Sequence, residues 1–159
     1  MVIIVDTREK PRAIARILAE FEKQGVKVVR RALNFADYFN PEKPVVVIDR
    51  KQNLLETANC CVQDRPRFMR EVDRCTRAGC HMIVLIEHSP RIRKLEDVIG
   101  WKNPRLKVSP LAVSGERLFR ILKAMEIKYG IEWQFCGKTQ TGKRIIEILR
   151  SDGGEIRET

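Results

Sequence analysis

Three aspartates stand at or near the ends of the first three β-strands that the sequence predicts. Asp6 and Asp49 each close a β-branched run, and Asp37 follows another. In an open α/β sheet, polar groups near strand ends collect in one crevice, where neighbouring carboxylates repel one another unless a cation lies between them. Hard oxygen ligands select Mg²⁺ or Mn²⁺. The spacing therefore predicts a metal site at Asp6, Asp37 and Asp49.

A lysine follows the third aspartate by two residues. Strand alternation places Asp49 and Lys51 on the same face, so the ammonium would lie within reach of a metal-bound water. Metal and lysine together can activate water and stabilise charge on a phosphoryl oxygen, which is hydrolase chemistry. The spacing alone is equally compatible with solvated loop residues, because aspartate is common wherever a strand ends.

Strands and helices alternate in the segments that must position these residues. Strands are predicted at 2–5, 26–33, 45–49, 81–87 and 131–136. Helices are predicted to begin at Pro11, near Leu54, at Ser114 and at Lys143, and the second runs to Ala78 with an interruption near Pro66. The core order is β-α-β-β-α-β, an α/β fold. The long loop at 88–113 is expected to be functional and to hold a short helix at 95–100.

Composition limits the class of protein. The chain has 159 residues and a formal net charge of +10, which favours one domain with a polyanionic partner: nucleic acid, an acidic protein or an anionic membrane surface. No apolar run is long enough to span a bilayer, and we expect no membrane insertion. Five cysteines without a CxxC pair fit reduced thiols in a cytosol, so we expect a cytoplasmic protein.

Three short motifs resemble those of a known nuclease family. Val5–Glu9 (VDTRE), Ala36–Tyr38 (ADY) and Ile48–Lys51 (IDRK) are similar, in order, to the motifs VDxRE, GDY and (I/V)ERK of the XPF-type nuclease domain. That domain belongs to the PD-(D/E)XK superfamily. The resemblance covers about residues 1–90, and the remainder, including Trp101–Arg105, is similar to short phage and prophage members of the group.

The resemblance implies a restriction-endonuclease-like mixed β-sheet flanked by helices, in a single domain. The expected divisions are a motif-bearing core at 1–90, a basic loop at 88–113, a C-terminal α-β-α unit at 114–150 and a frayed tail at 151–159. The implied catalytic residues are Asp6, Arg8, Asp37, Asp49, Arg50 and Lys51. Asp37 and Asp49 would hold the metal, while Asp6 and the two arginines would support the metal and the scissile phosphate. Glu9 would lie behind them.

The chain departs from the family pattern at three positions. Ala36 replaces a glycine, Asp49 replaces a glutamate, and Leu55 occupies the place of an aspartate four residues after the lysine. Glu56 is a substitute for that aspartate, although a shift of one residue turns a helical side chain by about 100°. The helix-hairpin-helix module that often follows the nuclease domain is not recognisable.

Two basic surfaces are predicted to contact DNA. One is an arginine stripe at helical spacing: Arg67, Arg70, Arg74 and Arg77. The other lies in the loop: Arg91, Arg93, Lys94, Trp101, Lys102, Arg105 and Lys107. Basic residues around an aromatic suit distorted or single-stranded nucleic acid. The stripe is equally compatible with a solvated face, and Trp101 with a residue that pins the loop to the core.

Two other motifs point to weaker interpretations. Cys75, Cys80 and His81 lack a second ligand pair at zinc-finger spacing, so buried thiols are the simpler account. Gly137–Lys143 (GKTQTGK) resembles a phosphate-binding loop, but Arg144 stands where a serine or threonine must bind Mg²⁺. Thr141 is instead expected to cap the last helix.

The leading hypothesis is an endonuclease dependent on Mg²⁺ or Mn²⁺ that cuts branched DNA, such as flaps, forks or four-way junctions, in recombination, repair or replication. The alternatives are a DNA-binding module of the same fold without catalysis and a basic protein-interaction adaptor. Family members commonly form homodimers. Ile145, Ile146 and Leu149 fit either such an interface or the core.

Overall fold

A mixed six-stranded β-sheet forms the centre of the computed structural model, which describes residues 1–151. The strands are β1 (Val2–Asp6), β2 (Lys27–Arg31), β3 (Tyr38–Phe39), β4 (Val46–Lys51), β5 (His81–Glu87) and β6 (Glu132–Cys136). Their order across the sheet is β2-β1-β3-β4-β5-β6, and β3 alone runs antiparallel to its neighbours. The mixed α/β fold expected from the sequence is confirmed.

The burial of each strand explains how well the sequence predicted it. The central strands β1, β4 and β5 are apolar runs buried on both faces, as expected for parallel strands covered by helices. Edge strand β2 is more exposed. Strand β3 was missed, because two residues are too short to show a period. Asp37 therefore precedes β3 and does not end β2.

Within residues 1–151, five α-helices flank the sheet: α1 (Ala15–Lys23), α2 (Leu54–Ala58), α3 (Arg65–Arg77), α4 (Gly115–Tyr129) and α5 (Thr141–Arg150). Helix α1 begins four residues later than Pro11. The expected interruption of the second helix is a π-helical turn at Asn59–Gln63. Pro66 lies in the first turn of α3, where its missing N–H breaks no helical hydrogen bond. The loop holds two 3-10 turns, the expected one at Leu95–Gly100 and a second at Pro104–Lys107.

Two apolar cores lie on opposite faces of the sheet. Helices α1 and α5 cover one face, while α3 and α4 cover the other together with α2 and the π-helical turn. Ile145, Ile146 and Leu149 are each at most 2% exposed and belong to the first core. They are therefore core residues, and the alternative that they cover a dimer interface is wrong.

The start of α5 does not form a phosphate-binding loop. A Cβ on Gly142 would lie 2.8 Å from the Glu20 Cβ, because α5 packs tightly on α1 there. The expected cap at Thr141 is also wrong. Gln140 is the N-cap residue and Thr141 is the first helical residue, with its hydroxyl directed to the Lys138 carbonyl.

The strand directions gather several loops at one edge of the sheet. Strands β1, β2, β4, β5 and β6 all end at this edge, and the antiparallel β3 begins there. The carboxyl edge therefore collects Asp6, Asp37 and Asp49 together with the start of the 88–113 loop. Among residues 1–151, no helix has the length and apolarity that crossing a bilayer requires.

Two glycines beside this loop should tolerate alanine very differently. A Cβ on Gly115 would lie 2.5 Å from the Val98 carbonyl oxygen and still closer to that of Trp101, whereas a Cβ on Gly100 would meet nothing within 4 Å. We expect Gly115→Ala to lower the free energy of unfolding by about 1–3 kcal/mol, as overpacking does, with urea denaturation as the measurement. Gly100→Ala is the matched control and should change it by less than about 1 kcal/mol. Equal effects of the two substitutions would contradict this packing.

Candidate active site

A cavity of about 360 Å³ opens at the carboxyl edge and gathers most of the predicted catalytic residues. The predicted catalytic residues that line it are Arg8, Asp37, Asp49, Arg50 and Lys51, and the other candidates on its lining are Glu9, Glu56 and Arg67. The ends of β1 and β4 and the residue before β3 bring them together from distant parts of the chain. Further lining residues, which the sequence did not single out as site residues, are Asn59, Cys60, Asp64, Phe68 and Glu71.

Asp37, Asp49 and Lys51 form the centre of the cavity. The Lys51 Nζ donates to both carboxylate oxygens of Asp49, at 2.9 and 3.2 Å. One oxygen of Asp37 accepts the Arg50 backbone N–H at 2.8 Å. The Lys51 Nζ also lies 5.7 Å from the centre of the Phe68 ring, which forms a wall of the site. Lys51 is thus paired with Asp49 alone, while Asp37 lines the same cavity.

The charges at this centre are only partly balanced. Burial raises the pKa of Asp37 well above its usual range, and the negative charges of Asp49 and Glu9 raise it further. Burial by itself would lower the pKa of Lys51, but the charge of Asp49 more than offsets this and raises it, so Lys51 stays an ammonium at neutral pH. The surroundings therefore disfavour the charged form of Asp37, and a cation bound beside it would offset this.

The backbone before Asp37 explains the glycine of the family motif. Ala36 has φ of 60°, in the left-handed region that favours glycine. Its N–H donates to the Glu71 carboxylate at 2.8 Å, and its methyl group is buried in the core. These contacts hold Ala36 in a backbone conformation that residues other than glycine rarely adopt. Ala36 directly precedes Asp37, which faces the cavity.

The structure gives Asp6 a different place from the predicted metal ligand. Asp6 is fully buried and does not line the cavity. Its two oxygens accept hydrogen bonds from the backbone N–H and guanidinium of Arg8 and from the Leu33 N–H. Burial raises the pKa of Asp6, but these hydrogen bonds outweigh it and the pKa is lowered. Asp6 therefore holds Arg8, whose side chain is 53% exposed at the cavity.

Arg50 lies in a buried network and not at the mouth of the site. Its Nε donates to Glu9 at 2.8 Å and its Nη1 to Glu87 at 3.0 Å, and the Tyr38 hydroxyl donates to the same Glu9 oxygen. The Arg50 side chain is 5% exposed. A guanidinium held between two carboxylates braces the cavity wall, so the expected phosphate contact of Arg50 lacks geometric support. Glu9 lines the cavity and binds Arg50 there.

Glu56 lines the cavity, but its carboxylate is engaged in capping a helix. It is exposed at the rim, where one of its oxygens accepts the Gln52 N–H and its own N–H donates to Asn53. These two bonds form the N-terminal cap of α2. Leu55 does not line the cavity and lies beside the 88–113 loop.

The donor set fits a magnesium-type ion held by few protein ligands. Among residues 1–151, no group of three His, Cys, Asp or Glu side chains is arranged to enclose a metal. Mg²⁺ usually keeps several waters and is held by one or two carboxylates plus substrate phosphates. Asp37 and Asp49 supply those two carboxylates. Such a site depends on substrate for part of its coordination.

Glu71 is the site residue that sequence analysis missed. Burial raises its pKa, and the nearby charge of Asp49 adds to this effect. It precedes Val72, on the inward side of an otherwise arginine-rich helix, and its contact with the Ala36 N–H ties α3 to the segment that carries Asp37. An acidic residue on the apolar face of a basic helix was the available signal.

The predicted DNA-contacting residues separate into several places. In the stripe, Arg67 lines the cavity, the Arg74 Nε donates to the Asn34 carbonyl at 2.8 Å, and Arg77 pairs with Asp73 on the surface. In the loop, Arg93 and Lys94 line a separate groove of about 560 Å³ beside β6.

The remaining predicted DNA-contacting residues are Arg70, Arg91, Lys102, Arg105 and Lys107, which are exposed, and Trp101, which is half-buried. Trp101 packs on the core, as expected for a residue that pins the loop.

The family of the chain follows from a comparison of its sequence with family profiles. The profile of the ERCC4 domain matches residues 5–148, which include every motif described above. The chain belongs to the ERCC4 domain family. Members of this family are DNA nucleases, and the resemblance noted in the sequence is confirmed. No curated protein sequence matches this chain.

Solved structures share the fold. XPF from Aeropyrum pernix superposes with a TM-score of 0.67 at 19% identity, covering 99% of this chain and 66% of that one. The structure of XPF from Aeropyrum pernix in complex with DNA gives a TM-score of 0.65 at 19% identity, covering 96% of this chain and 68% of that one. This chain thus spans about two thirds of the length of these proteins.

Asp6 and Asp37 should respond in opposite ways to the same substitution. Asp37→Asn keeps an acceptor for the Arg50 N–H and removes a charge that its surroundings oppose, so we expect metal-free protein at about pH 8 to gain on the order of 1 kcal/mol of stability. Asp6→Asn weakens the charged hydrogen bonds with Arg8 and should lose about 1–2 kcal/mol. Urea denaturation in chelator measures both changes.

Asp73→Asn is the matched control, because Asp73 is exposed and should contribute less than about 0.5 kcal/mol. The raised pKa of Asp37 also fixes the pH dependence. As pH falls, the wild-type carboxyl becomes protonated and the advantage of Asp37→Asn should shrink. A destabilised Asp37→Asn protein would show that repulsion does not dominate at this site.

Proposed function

We propose that the chain is a divalent-metal-dependent endonuclease that hydrolyses phosphodiesters in branched DNA within the cytosol. The observation that supports it most is the cavity in which Asp37 and Asp49 converge with an ammonium at the carboxyl edge. Membership of a nuclease family and the likeness to a fold seen in complex with DNA add to it. The preference for flaps, forks or four-way junctions comes from the family resemblance.

Four residues of the cavity have a direct role under this proposal. Asp37 and Asp49 would hold Mg²⁺ or Mn²⁺, which when bound lowers the pKa of the attacking water and offsets charge on the phosphoryl oxygens. Lys51, oriented by Asp49, stays protonated and donates to the scissile phosphate. Arg8 reaches a phosphate oxygen from the rim, and Asp6 holds its guanidinium in place.

The basic residues nearest the cavity suggest how the DNA lies. Arg67 stands on the lining and Arg70 follows it on the exposed face of α3. Phosphate contacts from these residues would position a duplex without reading its sequence. Arg77 lies at the far end of α3 and already pairs with Asp73. We therefore expect DNA affinity to depend more on Arg67 and Arg70 than on Arg77.

A cleavage panel tests the activity. Labelled flap, fork, junction and linear duplexes are incubated with the protein and with Mg²⁺, Mn²⁺ or chelator. We expect branched substrates to be cut only when a metal ion is present. Asp37→Asn and Lys51→Met should lower the cleavage rate by at least about 100-fold, since each removes a group that contacts the reacting phosphate or its metal. DNA affinity in chelator should stay within about threefold of wild type.

Asp73→Asn again serves as the matched control, because it removes the same charge from the same domain outside the cavity. It should leave the rate unchanged. If purified Asp37→Asn and Lys51→Met proteins cleaved DNA at the wild-type rate, the assignment as a metal-dependent endonuclease would be wrong. Cleavage that chelator does not reduce would also contradict it.

A DNA-binding module without catalysis is the second candidate. Leu55 in place of the family aspartate, and the absence of a three-carboxylate cage among the described residues, favour it. Calorimetry with Mg²⁺ or Mn²⁺ separates the two functions. A nuclease should bind the ion with a dependence on Asp37 and Asp49 and none on Asp73. Tight DNA binding without such ion binding would favour the non-catalytic module.

A further inference from the structure

The 88–113 loop ends in a compact projection, residues 104–112, which we call the finger. Its base is closed by Asn103, which is 5% exposed, donates through Nδ2 to the Val113 carbonyl at 2.9 Å and accepts the Arg105 N–H at 2.9 Å. The 3-10 turn at Pro104–Lys107 and the bond from the Ser109 N–H to the Arg105 carbonyl shape its interior. The finger is therefore built on a buried, hydrogen-bonded base.

The finger exposes three aliphatic side chains beside its two cations. Val108 is 82% exposed, Leu111 is 89% exposed and Leu106 is 41% exposed. Aliphatic side chains grouped on one projection and left in water usually mark an interaction site. The base of the same loop is packed normally, since Leu95, Val98 and Val113 lie in the core. Ile99, also in this loop, is 48% exposed, so Val108 and Leu111 are the most exposed aliphatic side chains of the loop.

The charges around the finger favour a polyanion as its partner. Residues 101–113 contain no aspartate or glutamate, while Lys102, Arg105 and Lys107 are all exposed. A second copy of the same finger would bring these cations against one another. Cations that hold phosphates beside apolar side chains that contact bases form the combination that proteins use to part stacked base pairs.

The finger lies next to the candidate active site. Arg105 and Leu111 share a shallow cleft with Leu55 and Asn59, and Asn59 also lines the catalytic cavity. Both parts arise from the same edge of the sheet, because the segments that carry them follow the ends of β4 and β5. DNA bound in the cavity would therefore pass close to the finger.

We propose that the finger is a wedge that stacks Val108 and Leu111 against the last base pair of a duplex arm at a DNA branch point, while Lys102, Arg105 and Lys107 hold the flanking phosphates. This proposal deepens the proposed function, because it gives a physical reason for preferring branches. A continuous duplex must be unstacked before the wedge can enter, whereas a branch already offers an exposed base-pair face.

The test measures base unstacking in chelator, where no cleavage occurs. A flap substrate carries the fluorescent adenine analogue 2-aminopurine at the branch-point base pair, and saturating wild-type protein should raise its fluorescence. The double variant Val108→Ser/Leu111→Ser should lose at least about three quarters of this rise, since a serine offers little apolar surface to a base. Its DNA affinity should fall by less than about threefold, because the phosphate contacts remain.

Two control variants separate the wedge from other effects. Ile127→Ser changes a side chain that is 76% exposed on α4, about 18 Å further along the helix axis than Gly115 and towards the opposite edge of the sheet, and should leave the fluorescence rise intact. Lys102→Ala/Lys107→Ala should weaken affinity and reduce its salt dependence, yet leave the rise at saturation unchanged. Surface substitutions of this kind should all leave the unfolding midpoint near that of wild type.

Several results would overturn the wedge. A full fluorescence rise with Val108→Ser/Leu111→Ser, or no rise with wild type bound to the flap, would do so. Loss of a wild-type dimer in the double variant, with fluorescence unchanged, would show that the finger joins two copies of the chain. Failure of the proposed function can be told apart from failure of the wedge. If the substrate panel showed no cleavage, the 2-aminopurine fluorescence measured in chelator would still test the wedge.

Discussion

Repulsion between Asp37 and Asp49 is the constraint around which the carboxyl edge is arranged. Buried backbone on β4 and before β3 holds both carboxylates toward one cavity, and Lys51 neutralises Asp49 directly. Burial raises the pKa of Asp37, and the charges of Asp49 and Glu9 raise it further. An arrangement that opposes its own ionisation is costly for stability but suits a site that must attract a cation and a phosphate. A cation bound between the two carboxylates would therefore offset this electrostatic cost.

The surrounding residues keep that centre in place. Arg50, bound by Glu9 and Glu87, braces the wall from inside, while Asp6 fixes the orientation of Arg8 at the rim. The sequence motifs do not distinguish these charged side chains from one another, but their burial in the fold does. Charged side chains whose hydrogen bonds are all made within the protein support the site. Charged side chains with unused donors or acceptors at the cavity can bind substrate.

Sequence reasoning succeeded where a segment carried a strong local signal. Long apolar runs predicted β1, β4 and β5, and the serine before α4 correctly predicted its cap. It failed for β3, whose two residues form a strand because β1 and β4 flank them. It also missed Glu71, which enters the site through the packing of α3 and not through a motif.

By itself the sequence determined the long strands and the main helices, the family and the identity of the charged residues, because periodicity and motif spacing are local properties of the chain. Only the tertiary structure decided which of those charges meet. Asp6, Asp37 and Asp49 look alike in sequence, yet four hydrogen-bond donors enclose Asp6 while the other two face a common cavity. The physical reason is that burial and partner geometry, which depend on residues far apart in the chain, set the role of a carboxylate.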